Sequence, residues 1–259
     1  MRNEEPISAI IDRDCWIRSD LFGFFSEPHL SPITHEPDGQ RLIGWKPKQF
    51  TDATWNQRAH HLPYIAAIGH HARRGRIGLV STFGGQDERI LGDFGPPSNA
   101  FLLRGLRPKP ADIDLPLSLL AGGQIDAARS REFSAAAFAL LTSAPTDTVL
   151  TRFQQAGINT NDLHREILDM FKSLSEKTQC VHLHDLWQLI VASVNRVNFV
   201  ITLDKKFSNY IRSSLAVKFE TQVVLPATFC ENNGLEPIAL PKFYDRRYSI
   251  HEDPIKSIA

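Results

Sequence analysis

The sequence predicts an α/β fold, with a mostly parallel central sheet covered by helices on both faces. Two observations carry this prediction. Short apolar, β-branched runs at 7–11, 76–82, 198–204 and 220–225 alternate with longer segments of helical periodicity. Those runs are apolar at successive positions, as strands buried on both faces must be. No repeat of 20–50 residues is visible.

Composition bounds the rest. A chain of 259 residues that is 42% hydrophobic and 22% charged suits one large domain or two small ones. Such a chain buries roughly 70–75% of its unfolded surface. This composition excludes wholesale disorder, and the scattered 15 Gly and 16 Pro exclude collagen-like and low-complexity classes. Twenty-nine basic against 29 acidic side chains exclude binding to nucleic acid by bulk positive charge, so any such contact needs a local patch. Cys15, Cys180 and Cys230 are too few and too dispersed for a disulfide framework, which points to a reducing compartment. Met1-Arg2-Asn3-Glu4-Glu5-Pro6 does not read as a signal peptide, and no apolar run approaches the ~18 residues of a membrane helix. The expectation is a cytoplasmic protein with no membrane partner.

Along the chain, Ile7 to Ile11 reads as a buried strand that stops at Asp12-Arg13-Asp14. Gly23 to Lys48 holds Pro28, Pro32, Pro37, Gly39, Gly44 and Pro47, and is expected to be an irregular insertion. A helix is expected from Leu62 to Arg74, then a second strand, Arg76 to Thr82, turning at Gly84-Gly85. Residues 92–123 carry enough Gly and Pro to predict short helices and loops. Alanine-rich Gln124 to Leu141 predicts a helix, and Pro145 to Gln155 another, ended by Gly157. Thr160-Asn161-Asp162 caps a helix with Leu163, Ile167, Met170, Phe171 and Leu174 on one face. Asp185 to Val197 repeats that pattern, with Asp185 as its N-cap in the plainest account. Asn198 to Asp204 is a strand, Lys205 to Leu215 a short helix, and Glu220 to Leu225 a last strand closed by Pro226.

Two apolar strands thus end in an aspartate, Asp12 and Asp204. Ligands of open α/β sheets bind at the carboxyl ends of the strands, although a turn also favours Asp there. Carboxylates gathered at one edge repel unless they protonate or share a divalent cation. Oxygen-only ligands favour magnesium or manganese over zinc.

His184-Asp185-Leu186, followed by Phe199-Val200-Ile201-Thr202-Leu203-Asp204-Lys205-Lys206-Phe207, resembles the third and fourth acidic motifs of the PIN-domain nucleases. Val223 to Phe229 resembles that family's last strand and its proline, and Ile10-Ile11-Asp12 its first motif, with Arg13 and Asp14 where the family has Ser/Thr and Asn. The resemblance is most specific over 160–229. It implies a PIN-like three-layer sandwich as a single domain over 1–259, with a core at about 7–19, 57–91 and 160–229, insertions at about 20–56 and 92–158, and a tail at 230–259. It also implies a metal-dependent ribonuclease, of toxin type in many relatives. Asp12, Glu88, Asp185 and Asp204 would hold Mg²⁺ or Mn²⁺ and act in catalysis. Asp87 rivals Glu88 for the second acid, and Asp14 is a further substitute. Thr202 would hydrogen-bond behind the ligands, His184 would orient Asp185, and Lys205 and Lys206 would contact phosphate. The implied partners are an RNA substrate, an antitoxin-like protein inhibitor and a second copy of the chain.

Two other classes compete. Asp12-Arg13-Asp14 after a strand resembles the first motif of haloacid-dehalogenase-like phosphohydrolases, with Asp12 as nucleophile and Asp14 as acid–base, and Leu79-Val80-Ser81-Thr82 resembles their second. A PIN-like scaffold without full metal affinity would instead bind RNA or protein. The histidine pairs His60-His61 and His70-His71 lie about three helical turns apart, too far to share one zinc. Cys180, His182 and His184 alternate but lack a fourth ligand. Basic clusters occur at Arg73-Arg74-Arg76, Arg104-Arg107-Lys109 and Arg246-Arg247. The first offsets a helix dipole, and the second is a candidate substrate lip. Trp187 is expected in the core.

Overall fold

The computed structural model describes residues 6–12, 15, 22–30, 37–47, 59–82, 101–103, 105–120, 130–176, 178, 183–214, 219–239 and 248–249. Its centre is β1 (Ile7–Ile11), which pairs in parallel with β4 (Ile77–Ser81) on one side and β6 (Phe199–Ile201) on the other. Two short strands complete the sheet: β5 (Lys109–Pro110) pairs in parallel with β4, and β7 (Gln222–Val224) with β6. The order is β5-β4-β1-β6-β7. β5 lies inside the segment expected to be an insertion at 92–158, so that segment contributes an edge strand to the sheet. The rest of its described length between 101 and 120 is the expected mixture of short helical turns and loop.

Side chains alternate across the sheet and feed two cores. Ala9, Ile11, Ile77, Leu79, Ile201 and Val224 pack under α1 (Leu62–Arg73) and α7 (Pro226–Asn232), which supply Ile65, Ile68 and Phe229. Ile10, Val200 and Val223 face the opposite way. They meet Leu189 and Ala192 of α5 (Leu183–Val194) and Phe207 of α6 (Lys205–Ser214). Both faces are therefore covered, as a parallel sheet requires.

A third core lies beyond α5. Helices α2 (Ser130–Ser143), α3 (Thr146–Gln155) and α4 (Asp162–Ser175) bring Phe138, Phe153 and Phe171 against Leu186, Trp187, Ile190 and Val191 of α5. α5 is thus buried without interruption from Leu186 to Ala192, because one side serves the sheet and the other serves the helices. Trp187 is fully buried, as expected, with the Phe171 ring edge-on to it at 5.4 Å.

Several expectations are corrected. The described residues between Gly23 and Lys48 are regular where an irregular insertion was expected: β2 (Phe22–Leu30) and β3 (Pro37–Pro47) pair antiparallel, and β3 also pairs with β8 (Tyr248–Ser249). β2 is an edge strand, where a proline lacking N–H is tolerated, and register shifts after Phe25 and His29 absorb the irregularity. On α4, Leu163 is exposed and His164 takes the buried position, because Asn161 caps the helix and turns its first residues outward. Asp185 is not the N-cap of α5; it is the third residue of a helix that starts at Leu183. α7 runs through to Asn232, across the expected start of the tail.

One close approach requires glycine. A Cβ on Gly69 of α1 would lie 2.4 Å from the Leu102 carbonyl oxygen, in the helical turn Phe101–Leu103. Among the described residues, no helix is long and apolar enough to cross a membrane.

Candidate functional site at the carboxyl edge of the sheet

All five strands of the central sheet run the same way, so their carboxyl ends define one edge. Ile11 of β1 stands opposite Ile201 of β6, and the residues that follow, Asp12 and Thr202, leave the sheet together. Asp12 N–H still donates to the Ile201 carbonyl at 2.9 Å, and Thr202 N–H to the Val224 carbonyl at 3.0 Å. Both side chains are buried.

Thr202 joins two of the predicted acids. Its hydroxyl donates to Asp12 Oδ2 at 2.9 Å and accepts from the Asp204 N–H at 3.0 Å. A buried carboxylate needs such a donor to offset lost hydration. Asp204 Oδ1 in turn accepts from the backbone N–H groups of Lys206 at 2.8 Å and Phe207 at 3.0 Å, and so caps α6. The cap thus fixes a carboxylate at the strand-end edge. Lys205 and Lys206 follow it, exposed, in the first turn of α6.

Asp185 is half-buried in the first turn of α5. α5 returns the chain to the start of β6 and so runs against the strands, which puts its first turn toward the end of the sheet that carries Asp12 and Asp204. The neighbouring His184 ring packs edge-on against Phe138 at 4.9 Å, toward the helical core. Asp14, Asp87, Glu88, Cys180 and His182 lie outside the described residues. Among the described residues, no three His, Cys, Asp or Glu side chains gather closely enough to hold a metal ion. The histidine pairs sit at opposite ends of the 12-residue α1, in keeping with their rejection as a joint zinc site.

Further residues shape this edge besides the predicted acids. Ser81 and Thr82, at the end of β4 beside β1, are buried polar residues at the same edge. Cys15 N–H donates to the Asp12 carbonyl at 3.1 Å, and its Sγ lies 3.6 Å from the Ile201 carbonyl oxygen, which holds Cys15 against the ends of β1 and β6. A sequence signal for Ser81 and Thr82 existed, since they end an apolar strand. Cys15 had only its spacing from Asp12. Cys230 belongs to α7, and burial, with Glu231 nearby, pushes its thiol up to about 12, so it is no nucleophile.

Compared with protein-family models, curated proteins and solved structures, the chain matches none.

Proposed function

We propose that this protein is a metal-dependent nuclease of PIN-like type that hydrolyses RNA phosphodiester bonds. The observation that carries the reading is the Thr202 hydroxyl, which ties Asp12 to Asp204 at the carboxyl edge of a parallel sheet. The donor set suits a hard cation in kind, because Asp12, Asp185 and Asp204 would supply carboxylate oxygens alone. Glu88, or Asp87 in its place, would complete the set. A Mg²⁺ or Mn²⁺ ion held there would polarise the scissile phosphate and lower the pKa of an attacking water.

The chain's own residues do the rest. Thr202 holds Asp12 in one rotamer, the α6 cap holds Asp204, and Lys205 and Lys206 offer positive charge to the phosphates on either side of the scissile bond. The same resemblance extends the proposal to a cytoplasmic, toxin-type enzyme checked by a protein inhibitor and able to form a homodimer.

The test is cleavage of end-labelled single-stranded RNA with Mn²⁺ or Mg²⁺. Cleavage is expected, stopped by EDTA and abolished by Asp12→Asn or Asp204→Asn. Asn caps a helix as well as Asp, so Asp204→Asn leaves α6 intact. No cleavage with either metal, together with no Mn²⁺ uptake by titration calorimetry, would reject the nuclease. Hydrolysis of a phosphomonoester that needs Asp12 and Asp14 but not Asp185 would assign the phosphohydrolase instead.

A further inference from the structure

The end of α1 and the segment that leads into β5 carry basic residues that the proposed chemistry does not use. The last turn of α1 holds His70, His71 and Arg73, Arg74 is its C-cap, and Arg76 precedes β4. Arg73 is committed to the fold, since its Nη2 donates to the Leu102 carbonyl at 2.7 Å. Arg74 and Arg76 are exposed, and among the described residues neither has a carboxylate partner. Arg76 Nη1 lies 3.5 Å from His71 Nδ1, and the His70 and His71 rings meet edge-on at 5.3 Å.

The local field is positive. Burial first, then Arg74 and Arg73, pull the His70 pKa below its ordinary value; for His71 the causes are burial, then Arg76, His70 and Arg74. Among the described residues, no carboxylate opposes them. A helix C-terminus accounts for about half a unit of compensating charge, so the exposed Arg74 and Arg76 guanidinium groups exceed what α1 needs.

The positive charge does not stop there. Leu102 is held at the end of α1 by Arg73, whereas Lys109 pairs with Val80 near the opposite end of β4. The described residues 105–109 therefore lie between the two ends of β4, which is about 17 Å long at ~3.3 Å per residue, and lead into the edge strand β5. This segment carries Arg107, which is exposed and has no carboxylate partner among the described residues. It ends at Lys109, whose only ion pair among the described residues is an exposed one with Asp112.

We propose that Arg74, Arg76, Arg107 and Lys109 form a track for the phosphate backbone of single-stranded RNA, running along the β5 edge from the carboxyl end of β4 to the end of α1. Guanidinium forks suit phosphate oxygens, and the paired His70 and His71 rings offer a stacking surface for a base. This inference rests on the nuclease reading for the identity of the strand, and it specifies how that substrate is held at a distance from the scissile bond.

The test uses the full chain, a fluorescein-labelled 20-nucleotide RNA and EDTA to prevent cleavage, with affinity read by anisotropy across a salt series. Arg74→Glu, Arg76→Glu and Arg107→Glu are each expected to weaken binding about tenfold and to flatten the plot of log affinity against log salt by ~0.7 per lost contact. Arg152→Glu, an exposed reversal on α3, is the control for net charge and should bind as the unaltered chain does. With Mn²⁺, KM for the long RNA should rise in the track variants. Wild-type affinity and salt slope in all three variants would overturn the track, as would an equal loss in Arg152→Glu or failure of the unaltered chain to bind RNA. Loss of binding in the variants without metal-dependent cleavage would leave the track standing and reject the nuclease.

Discussion

Thr202 has one proton to donate and gives it to Asp12 Oδ2, while its lone pair receives the Asp204 N–H. No apolar side chain of the same shape can do either. Thr202→Val should therefore leave a buried carboxylate oxygen and a part-buried N–H without that partner and lower the unfolding free energy by about 1–3 kcal/mol, measured by urea denaturation. If the acids work as proposed, the same change lowers metal-dependent cleavage about 10–100-fold, whereas Thr202→Ser preserves both. An unchanged denaturation midpoint in Thr202→Val would show that the hydroxyl does not hold the pair. Asp12, Thr202 and Asp204 were readable from sequence because each stands where an apolar run stops, and that break marks the border of the buried sheet. Their joining was not readable: Asp12 and Thr202 are 190 positions apart, and only the pairing of β1 with β6 brings them together.

At the scale of the element, the start of α4 shows how a buried histidine becomes part of a cap. Asn161 Oδ1 accepts from the N–H groups of Leu163 and His164, and the Asn161 N–H donates to His164 Nδ1 at 3.1 Å. Burial lowers the His164 pKa from 6.5, and a hydrogen bond to the Asp114 backbone only partly opposes that. The unfolded chain therefore takes up a proton near pH 6.5 that the native ring refuses until the pH is lower. The stability His164 contributes is complete above that value and is lost as pH falls toward the native pKa. Urea midpoints of the unaltered chain should drop more steeply between pH 7.5 and 5 than those of His164→Gln. Equal slopes would exclude the histidine as the cause. The comparison between the two proteins also separates His164 from His70 and His71, whose pKa values are lowered as well. Helical periodicity put Leu163 on the buried face and overlooked His164, because the face a first turn presents depends on what the helix meets. Here it meets the loop at Asp114, which the Asn195 amide also clamps through both backbone groups of Ile113.

Across the whole molecule, α5 couples the sheet to the helices. Leu189 and Ala192 belong to the core against the sheet, and Trp187, Ile190 and Val191 to the core against α2, α3 and α4. Neither part can lose its packing without exposing α5. Thermal unfolding followed by far-UV circular dichroism and by tryptophan fluorescence should therefore give superimposable transitions. Trp187→Ala, which empties a fully buried ring, should lower the unfolding free energy by about 3–5 kcal/mol and shift that single transition without splitting it. Two separated steps would show that sheet and helices fold independently.

By itself the sequence determined the local elements of the α/β layers: the apolar strand at 7–11, the helix from Leu62, the cap at Asn161, and the aspartates where strands stop. Those features are written in short windows, as periodicity, capping chemistry and breaks in hydrophobicity. Only the tertiary structure decided that β1 lies between β4 and β6, that β5 joins the sheet, and that 22–30 pairs with 37–47 despite their prolines. It also decided that Thr202 meets Asp12. The reason is that a strand's partner is set by burial summed over distant segments, and no window of sequence contains both sides of that sum.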